Sequence, residues 1–398
     1  MYFPNGFETF LSHEPTALNN LFTNPIPFNT ESSVLAILLI YSESLLIYSE
    51  NDQKCTLERL GEESVLIFDS LTTFIRFQHG QTQTQIISAN SNQMSTPLNI
   101  RTPIDILTSG LQLVGYSIKQ QLRVKRQTNE RRFKAHFGSC PLMCAVVWKD
   151  LQTCEKPLPS VSNKDFNLFL MTLFFLKSYP TEEIMASRFH LHEQTVRKWL
   201  SFYVERLAAL RKYKIQWPSD WGQLVFIISV DCVNFGVNEP RHPTLHKIKK
   251  MFDRKGGKAG QTYEIALHLW ENRIVWISGP HPPNDGGDRA IFIGKGENFK
   301  DGRACLNDTI PEGKMAIADK IYNGLEKVAL HNSLDTTAVR VFKRRARSRQ
   351  ESINARMKSF GALRQRFRHG LLKQDRAVVA VAVLCQYQLE NGSPLFDI

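Results

Sequence analysis

The second half of the chain alternates short apolar runs with segments of helical period, and no other feature constrains the fold as strongly. Residues 224–230 (LVFIISV) form a continuous apolar run that ends at Asp231, and residues 315–318 (MAIA) form a shorter one that ends at Asp319. Continuous apolar runs of this kind are typical of buried strands. Because such runs alternate with helical segments, the pattern predicts an α/β fold with a mixed β-sheet.

Further segments extend the predicted sheet. Residues 262–269 and 273–278 read as two strands separated by two polar residues, which favours antiparallel pairing between them. The run AVRVF at 338–342 predicts a fifth strand, whereas residues 320–331 have a helical pattern. Residues 346–363 form the strongest helical pattern of this half of the chain.

Three acidic residues stand out against this pattern. Asp231 and Asp319 each end an apolar run, and Glu351 lies within the last predicted helix. Functional groups of α/β sheets often gather beyond the strand ends. Phosphoryl transfer with two metal ions needs two or three carboxylates, and Mg²⁺ uses few protein oxygens because it keeps several waters. The three acids therefore predict a divalent-metal site, although a single Asp at a strand end is more often a turn or cap residue.

The segment 340–376 is strongly basic, with thirteen Lys and Arg against two acids. Helical spacing places Arg347, Asn354 and Lys358 on one face with Glu351. The opposite face carries Ile353, Met357 and Phe360. Like charges in such number repel one another unless a polyanion neutralises them, so the helix predicts contact with DNA. The alternative is a solvated helix with ordinary i,i+4 ion pairs.

Four segments of the chain together resemble a known enzyme family. Arg347, Glu351 and Lys358 match the spacing R-(3)-E-(6)-K of DDE transposases related to the PIF/Harbinger group, within ARSRQESINARMKSFGALRQRFRHG (346–370). VDCVNFGVNEPRHP (230–243) is similar to the family's first-Asp segment, and IADKIYNG (317–324) to its second. GPHPPNDGGDRAIF (279–292), which contains Asp288, is similar to the segment between them. The resemblance covers roughly residues 135–398.

This resemblance implies an RNase H-like catalytic domain that cuts and joins DNA. Asp231, Asp319 and Glu351 would bind two Mg²⁺ or Mn²⁺ ions, one of which activates water or a DNA 3′-hydroxyl while the other steadies the leaving oxygen. Arg347 and Lys358 would hold phosphates near the site. The resemblance also implies that Asp288 supports the site, and that the protein acts in the nucleus if its source is eukaryotic. Arg344 replaces the family's Tyr, which puts strand transfer in doubt more than metal binding.

Residues 182–200 (EEIMASRFHLHEQTVRKWL) fit a helix-turn-helix with its turn near His190. The exposed positions of the second helix would be Glu193 and three residues suited to bases and phosphates, namely Gln194, Arg197 and Lys198. Arg344 and Arg345 in the basic helix add further cations for DNA. A helical hairpin that serves only as packing is the alternative.

Charge and composition set the remaining expectations. The net charge is +12 and the sequence pI about 9.3, which favours nucleic acid as the partner. Residues 1–130 receive no assignment and are expected to be partly disordered, with a polar linker at 81–97. Residues 135–215 are expected to form the helix-turn-helix region, and residues 220–398 the nuclease domain. The apolar run at 34–48 is too short and too polar to span a membrane.

Two smaller features stay open. Cys140, Cys144 and Cys154, together with His136, could form a zinc cluster, but their spacing matches no established finger. The glycine-rich stretch 254–262 (RKGGKAGQT) lacks the spacing of a phosphate loop and predicts a mobile basic hairpin that could touch DNA.

The sequence thus predicts a DDE transposase or endonuclease whose partner is double-stranded DNA, at transposon ends and at the target. Cutting two ends suggests a homo-oligomer, and the need for a separate DNA-binding partner protein is undecided. The alternative is a transposase-derived DNA-binding protein that keeps the fold without chemistry.

Overall fold

A computed structural model describes most of the chain from residue 101 onwards: residues 101–154, 158, 162–238, 251–253, 256–296, 299–300, 302–330 and 332–398. Contacts divide the chain into two units, Met1–Ser95 and Thr96–Ile398, and the described residues all belong to the second. The linker predicted at 81–97 and the apolar run at 34–48 lie outside the described residues, as does part of the first-Asp segment, 239–243.

Helices form the first part of the described chain. Their bounds are α1 Pro103–Leu113, α2 Ile118–Leu122, α3 Arg126–Phe137 and α4 Pro141–Thr153. Thr102 and Ser117 begin α1 and α2 with reciprocal capping boxes, in which each hydroxyl accepts from a backbone amide three residues on. The sequence made no assignment for residues 101–130, although the buried residues of α1 (Ile106, Leu107, Gly110 and Leu111) follow a helical spacing.

The predicted helix-turn-helix segment is a helical hairpin. A long buried helix, α5 Asn163–Ser178, precedes α6 Glu182–Phe189 and α7 Glu193–Ala209, and a short α8 Arg211–Lys214 follows. Thr181 caps α6 by accepting a hydrogen bond from the backbone amide of Ile184, and His190 adopts a left-handed conformation (φ 52°) in the turn. The residues of α7 that are buried in the core include Val196, Leu200 and Leu207.

Six strands form a mixed sheet. They are β1 Phe226–Gly236, β2 Phe252–Asp253, β3 Lys258–His268, β4 Ile274–His281, β5 Met315–Ile317 and β6 Val328–Ala329. Strand β1 lies at the centre, antiparallel to β3 on one side and parallel to β5 on the other. Strand β4 continues the antiparallel side, and β6 continues the parallel side. The α/β class with antiparallel and parallel pairing is therefore as predicted.

Helices cover both faces of this sheet. They are α9 Gly287–Phe292, α10 Leu306–Thr309, α11 Thr337–Lys358, α12 Gly361–Arg364 and α13 Leu371–Glu390. On one face, α11 and α13 share a continuous core with the N-terminal helices. On the other, α9 and α10 pack over a smaller core that contains Phe292 and Tyr322. No helix among the described residues has the length and apolar character needed to cross a bilayer.

Two sequence-based assignments in this half of the chain are wrong. Residues 338–342 belong to the first turns of α11, not to a strand, because Val339 and Phe342 continue the helical spacing of Ala346 and Ile353. Residues 320–331 contain only a 3-10 turn, Lys320–Tyr322, and then strand β6. The strand that follows β5 is therefore the two-residue β6, which begins ten residues before the strand predicted at 338–342.

Candidate active site

Asp231 does not end its strand, contrary to the sequence-based expectation. Strand β1 continues to Gly236, where it still pairs with β3. Its parallel neighbour is shorter: β5 ends at Ile317, which lies opposite Ser229. Asp231 follows Ser229 by two residues, and Asp319 follows Ile317 by two residues. The two aspartates therefore occupy equivalent positions just beyond the last paired residues of adjacent parallel strands.

A β-bulge decides which face of the sheet Asp231 occupies. The pairing of β1 with β5 shifts between Phe226 and Ile228. Ile227 and Ile228 are consequently both buried in the core under α9, although successive strand residues normally alternate. Phe226 and Ser229 then share the face toward α11. Without the extra residue, the alternation of side chains would turn Asp231 away from α11.

Helix α11 contacts β1 at both polar residues of that face. The Ser229 hydroxyl donates to Oε1 of Gln350 (3.0 Å), and Nδ2 of Asn354 donates to Oδ2 of Asp231 (2.9 Å). Asn354 is 9% exposed and lies one turn after Glu351. Glu351 itself is exposed, on the edge of α11 that Asn354 borders. The bond between Asn354 and Asp231 thus brings this edge of α11 to the first aspartate.

Sequence reasoning placed Asn354 on the face of Glu351 but gave it no role. Its amide holds one oxygen of Asp231, while the backbone amide of Cys232 donates to the other (2.9 Å). Both of these donors are neutral groups. The only signal in the sequence was an amide side chain three residues after a candidate acid, which is too common to single out.

Asp319 begins a 3-10 turn. Its Oδ1 accepts from the backbone amide of Ile321 (2.9 Å), and the carboxylate is half-buried. Tyr322, in the same turn, is fully buried and its hydroxyl lies 3.7 Å from Sγ of Cys232. This contact ties the segment of Asp319 to the residue after Asp231, so the two aspartate segments are packed together as well as aligned.

Asp288 lies on the other side of the sheet, in the first turn of α9. Its charge contributes to raising the pKa of Cys232, Glu264 and Tyr322, after the larger effect of their burial. Burial raises the pKa of Glu264 to about 8, even though Nε1 of Trp276 donates to it (2.9 Å). Sequence reasoning missed Glu264, which reads as one residue of a buried strand. Asp288 therefore lies near Cys232 and Glu264, on the face of the sheet away from α11.

The candidate acids suit a hard cation in kind, because carboxylate oxygens are the ligands that Mg²⁺ and Mn²⁺ prefer. Among residues 101–398, as far as they are described, no three His, Cys, Asp or Glu side chains already form a group that could hold a metal ion. Asp231, Asp319 and Glu351 are therefore aligned by the backbone without being drawn together.

The cysteine group belongs to the helical region. Cys144 is fully buried, and burial raises its pKa well above the usual value. Cys140 and Cys154 are half-buried, and His136 lies against the rings of Tyr116 and Phe174. Burial also lowers the pKa of His136. These are the surroundings of packed side chains.

The predicted DNA-contacting residues fall into two groups. Gln194, Lys198, Arg344, Arg347 and Lys358 are exposed. Arg197 is also exposed, but its guanidinium forms a two-point ion pair with Glu182 of α6. Arg345 donates to the backbone carbonyl of Asp397 and lies over the ring of Phe396. Arg197 and Arg345 therefore already have partners within the chain.

The arrangement places two aspartates and a glutamate along one border between the sheet and α11, beside exposed cations. Such a border can bind a phosphodiester and divalent cations. Comparisons of the chain with protein-family models, with curated proteins and with solved structures give no match.

Proposed function

We propose that this chain is a DDE-type transposase or endonuclease with an RNase H-like catalytic domain. The sheet order supports this fold: three antiparallel strands, β4, β3 and β1, continue into two parallel strands, β5 and β6. In the RNase H-like order of elements, the first acid lies on the first strand, the second follows the fourth, and the third lies on the helix after the fifth. If the two-residue strand β2 is left out of the count, Asp231 lies on the first strand, Asp319 follows the fourth (β5), and Glu351 lies on the helix after the fifth (β6).

One observation carries the proposal: the matched positions of Asp231 and Asp319, joined to the helix of Glu351 by the Asn354–Asp231 hydrogen bond. Three acids scattered at random along the chain would have no reason to fall on three elements that meet at one border. Ordinary capping explains the backbone contact of Asp319, but it does not explain why a carboxylate, Asp231, lies on the face of β1 that packs against α11.

Asp231, Asp319 and Glu351 would hold two Mg²⁺ or Mn²⁺ ions, which supply charge stabilisation for the phosphate and a reactive water or 3′-hydroxyl. Asn354 would orient the Asp231 carboxylate through Oδ2, as a partner behind a metal ligand does. Arg347 and Lys358, on the same edge of α11, would bind the phosphates that flank the scissile bond.

The substrate in this proposal is double-stranded DNA, at transposon ends and at a target. The hairpin of α6 and α7 would contribute sequence reading through Gln194 and Lys198 near the start of α7. Arg197 would have to exchange Glu182 for a phosphate or a base. Cutting at two ends calls for a homo-oligomer, and a separate DNA-binding protein could supply part of the recognition.

Nicking of supercoiled plasmid by the full chain tests the proposal. We expect nicking with Mg²⁺ or Mn²⁺, none with EDTA, and a loss of about a thousandfold or more in Asp231→Asn and Glu351→Gln, since each removes a metal ligand worth several kcal/mol. Glu312→Gln is the matched control, because Glu312 is an exposed acid outside the site. Unchanged nicking in Asp231→Asn would remove Asp231 from the site.

The alternative of a DNA-binding protein without chemistry predicts a different pattern. Such a protein would bind DNA tightly and in a salt-sensitive manner, and neither metal would promote nicking in the wild type or in any variant.

A further inference from the structure

The cations of α11 differ in whether the chain itself uses them. Lys343 is 6% exposed and its ammonium contacts the carboxylate of Asp335 (3.0 Å) and the carbonyl of Leu330 (2.7 Å). Arg349 is 3% exposed and donates to the carbonyl of Leu269 (2.6 Å). These cations, like Arg345, are committed to structure.

Three arginines of the same helix turns are not committed. Arg340, Arg344 and Arg347 are exposed and lie within an arc of about 60°, on the edge of α11 that also carries Glu351. Within the described part of the chain, Arg344 and Arg347 have no hydrogen bond or ion pair, and Arg340 has only a weak contact with the hydroxyl of Thr337 (3.4 Å). Three like charges this close repel one another when no anion is bound.

A groove of about 410 Å³ lies at these arginines. It is lined by Thr337, Arg340, Val341, Lys343, Arg344 and Arg347. Asp335 already neutralises Lys343, so the three arginines determine the charge of the groove. Arg340 to Arg347 spans about 10 Å of helix, and Glu351 lies one turn further.

We propose that this groove binds the sugar–phosphate backbone of one DNA strand and leads it along α11 to Glu351. The inference rests on the proposed function and extends it, because it fixes the path by which the substrate reaches the site. A row of arginines at helical spacing fits a linear polyanion, whose phosphates accept the two-point hydrogen bonds of guanidinium groups. A protein partner would need an apolar centre, and among the described residues that line the groove only Val341 is apolar.

The inference separates Arg344 from its neighbour Arg345. Both carry one charge, both are exposed, and both belong to the same turn of α11. Only Arg345 is held by the chain, through the carbonyl of Asp397. A non-specific effect of net charge would weaken DNA binding equally when either is replaced. If phosphates bind only along the edge of α11 that carries Arg344, replacing Arg344 should weaken DNA binding more than replacing Arg345.

The test measures binding of the full chain to a 20-base-pair duplex of arbitrary sequence, in EDTA, over a series of salt concentrations. Arg344→Gln is expected to weaken binding about three- to tenfold and to reduce the slope of log K against log salt by about one. Arg345→Gln is expected to change affinity by less than about twofold. Thermal unfolding of both variants shows that each is folded at the binding temperature.

Equal losses in the two variants, or no loss in Arg344→Gln, would overturn the inference. Its failure is distinct from failure of the proposed function, because the binding assay requires no catalysis. If Arg344→Gln weakens binding while the wild type never nicks DNA, DNA binding along α11 is supported and the nuclease assignment is contradicted. If the wild type nicks DNA but both variants bind normally, the nuclease assignment is supported and DNA binding along α11 is contradicted.

Discussion

The two long edges of α11 use the same residue types for different purposes. On one edge, Arg345, Arg349 and Arg356 each donate to backbone carbonyls of their own chain. On the other, Arg344 and Arg347 have no such partner among the described residues. The first edge faces the chain end at 393–398 and the β3–β4 turn, whereas the second faces outward. The role of each arginine depends on whether it reaches a backbone carbonyl of the chain. Cations that are bonded within the chain, here called committed, should affect the stability of the fold. Cations without such a partner, here called open, should affect DNA binding.

The largest expected effect is on stability, at Lys343. Lys343→Met would remove the ammonium that pairs with the carboxylate of Asp335, whose side chain is 14% exposed. Breaking a buried pair in this way costs about 3–5 kcal/mol of unfolding free energy. Urea denaturation measures the loss. A loss below about 1 kcal/mol would show that the pair is solvated and would weaken the distinction between committed and open cations.

Arg349 gives the next largest effect. Its guanidinium donates to the carbonyls of Leu269 and Glu271 and is nearly buried, so Arg349→Met should lower the unfolding free energy by about 2–3 kcal/mol. Arg344→Met is the matched control on the open edge and should stay within about 0.5 kcal/mol of the wild type. Similar losses in the two variants would contradict the division of the helix into two edges.

Asn354 tests the link between α11 and the first aspartate. Asn354→Ala removes the donor to Oδ2 of Asp231, and the loss of such a partner to a metal ligand typically lowers activity about 10–100-fold. DNA affinity in EDTA should be unchanged, because Asn354 is buried and contacts no phosphate. A loss of affinity equal to the loss of nicking would mean that the residue only maintains the fold.

The smallest expected change is in the stability of Arg347→Gln. Arg347 has no partner among the described residues, so its unfolding free energy should match the wild type within about 0.5 kcal/mol. Binding to a short duplex should weaken by about threefold, as for one lost phosphate contact. A destabilised variant would place Arg347 among the committed cations.

The sequence predicted the class of the fold and four of the six described strands, because β1, β3, β4 and β5 have buried apolar runs. It misassigned residues 338–342 because a short run of β-branched and aromatic residues fits both a strand and a buried helix turn. The strand that the structure has instead, β6 (Val328–Ala329), is two residues long, which is too short to show a periodic pattern in the sequence. Its place is set by pairing with β5, which is a long-range contact.

The candidate acids were visible in the sequence, but their geometry was not. Asp231 reads as a strand end because the apolar run stops there, yet β1 continues as far as its longer partner β3. The bulge before Ser229 and the Asn354 contact depend on neighbours distant in sequence. The difference between Arg344 and Arg345 has the same origin, since it depends on the chain end near Asp397.

We propose that Asp231, Asp319 and Glu351 form one metal site, and iron-directed cleavage of the polypeptide is the first experiment to make on this proposal. Fe²⁺ replaces Mg²⁺ at such sites, and with ascorbate and peroxide it generates radicals that cut the chain near its ligands. If the three acids hold one metal ion site, we expect cuts close to all three. Excess Mg²⁺ should suppress these cuts, and Asp231→Asn should abolish them. Cuts near only one of the three segments, or cuts that Asp231→Asn leaves unchanged, would contradict it.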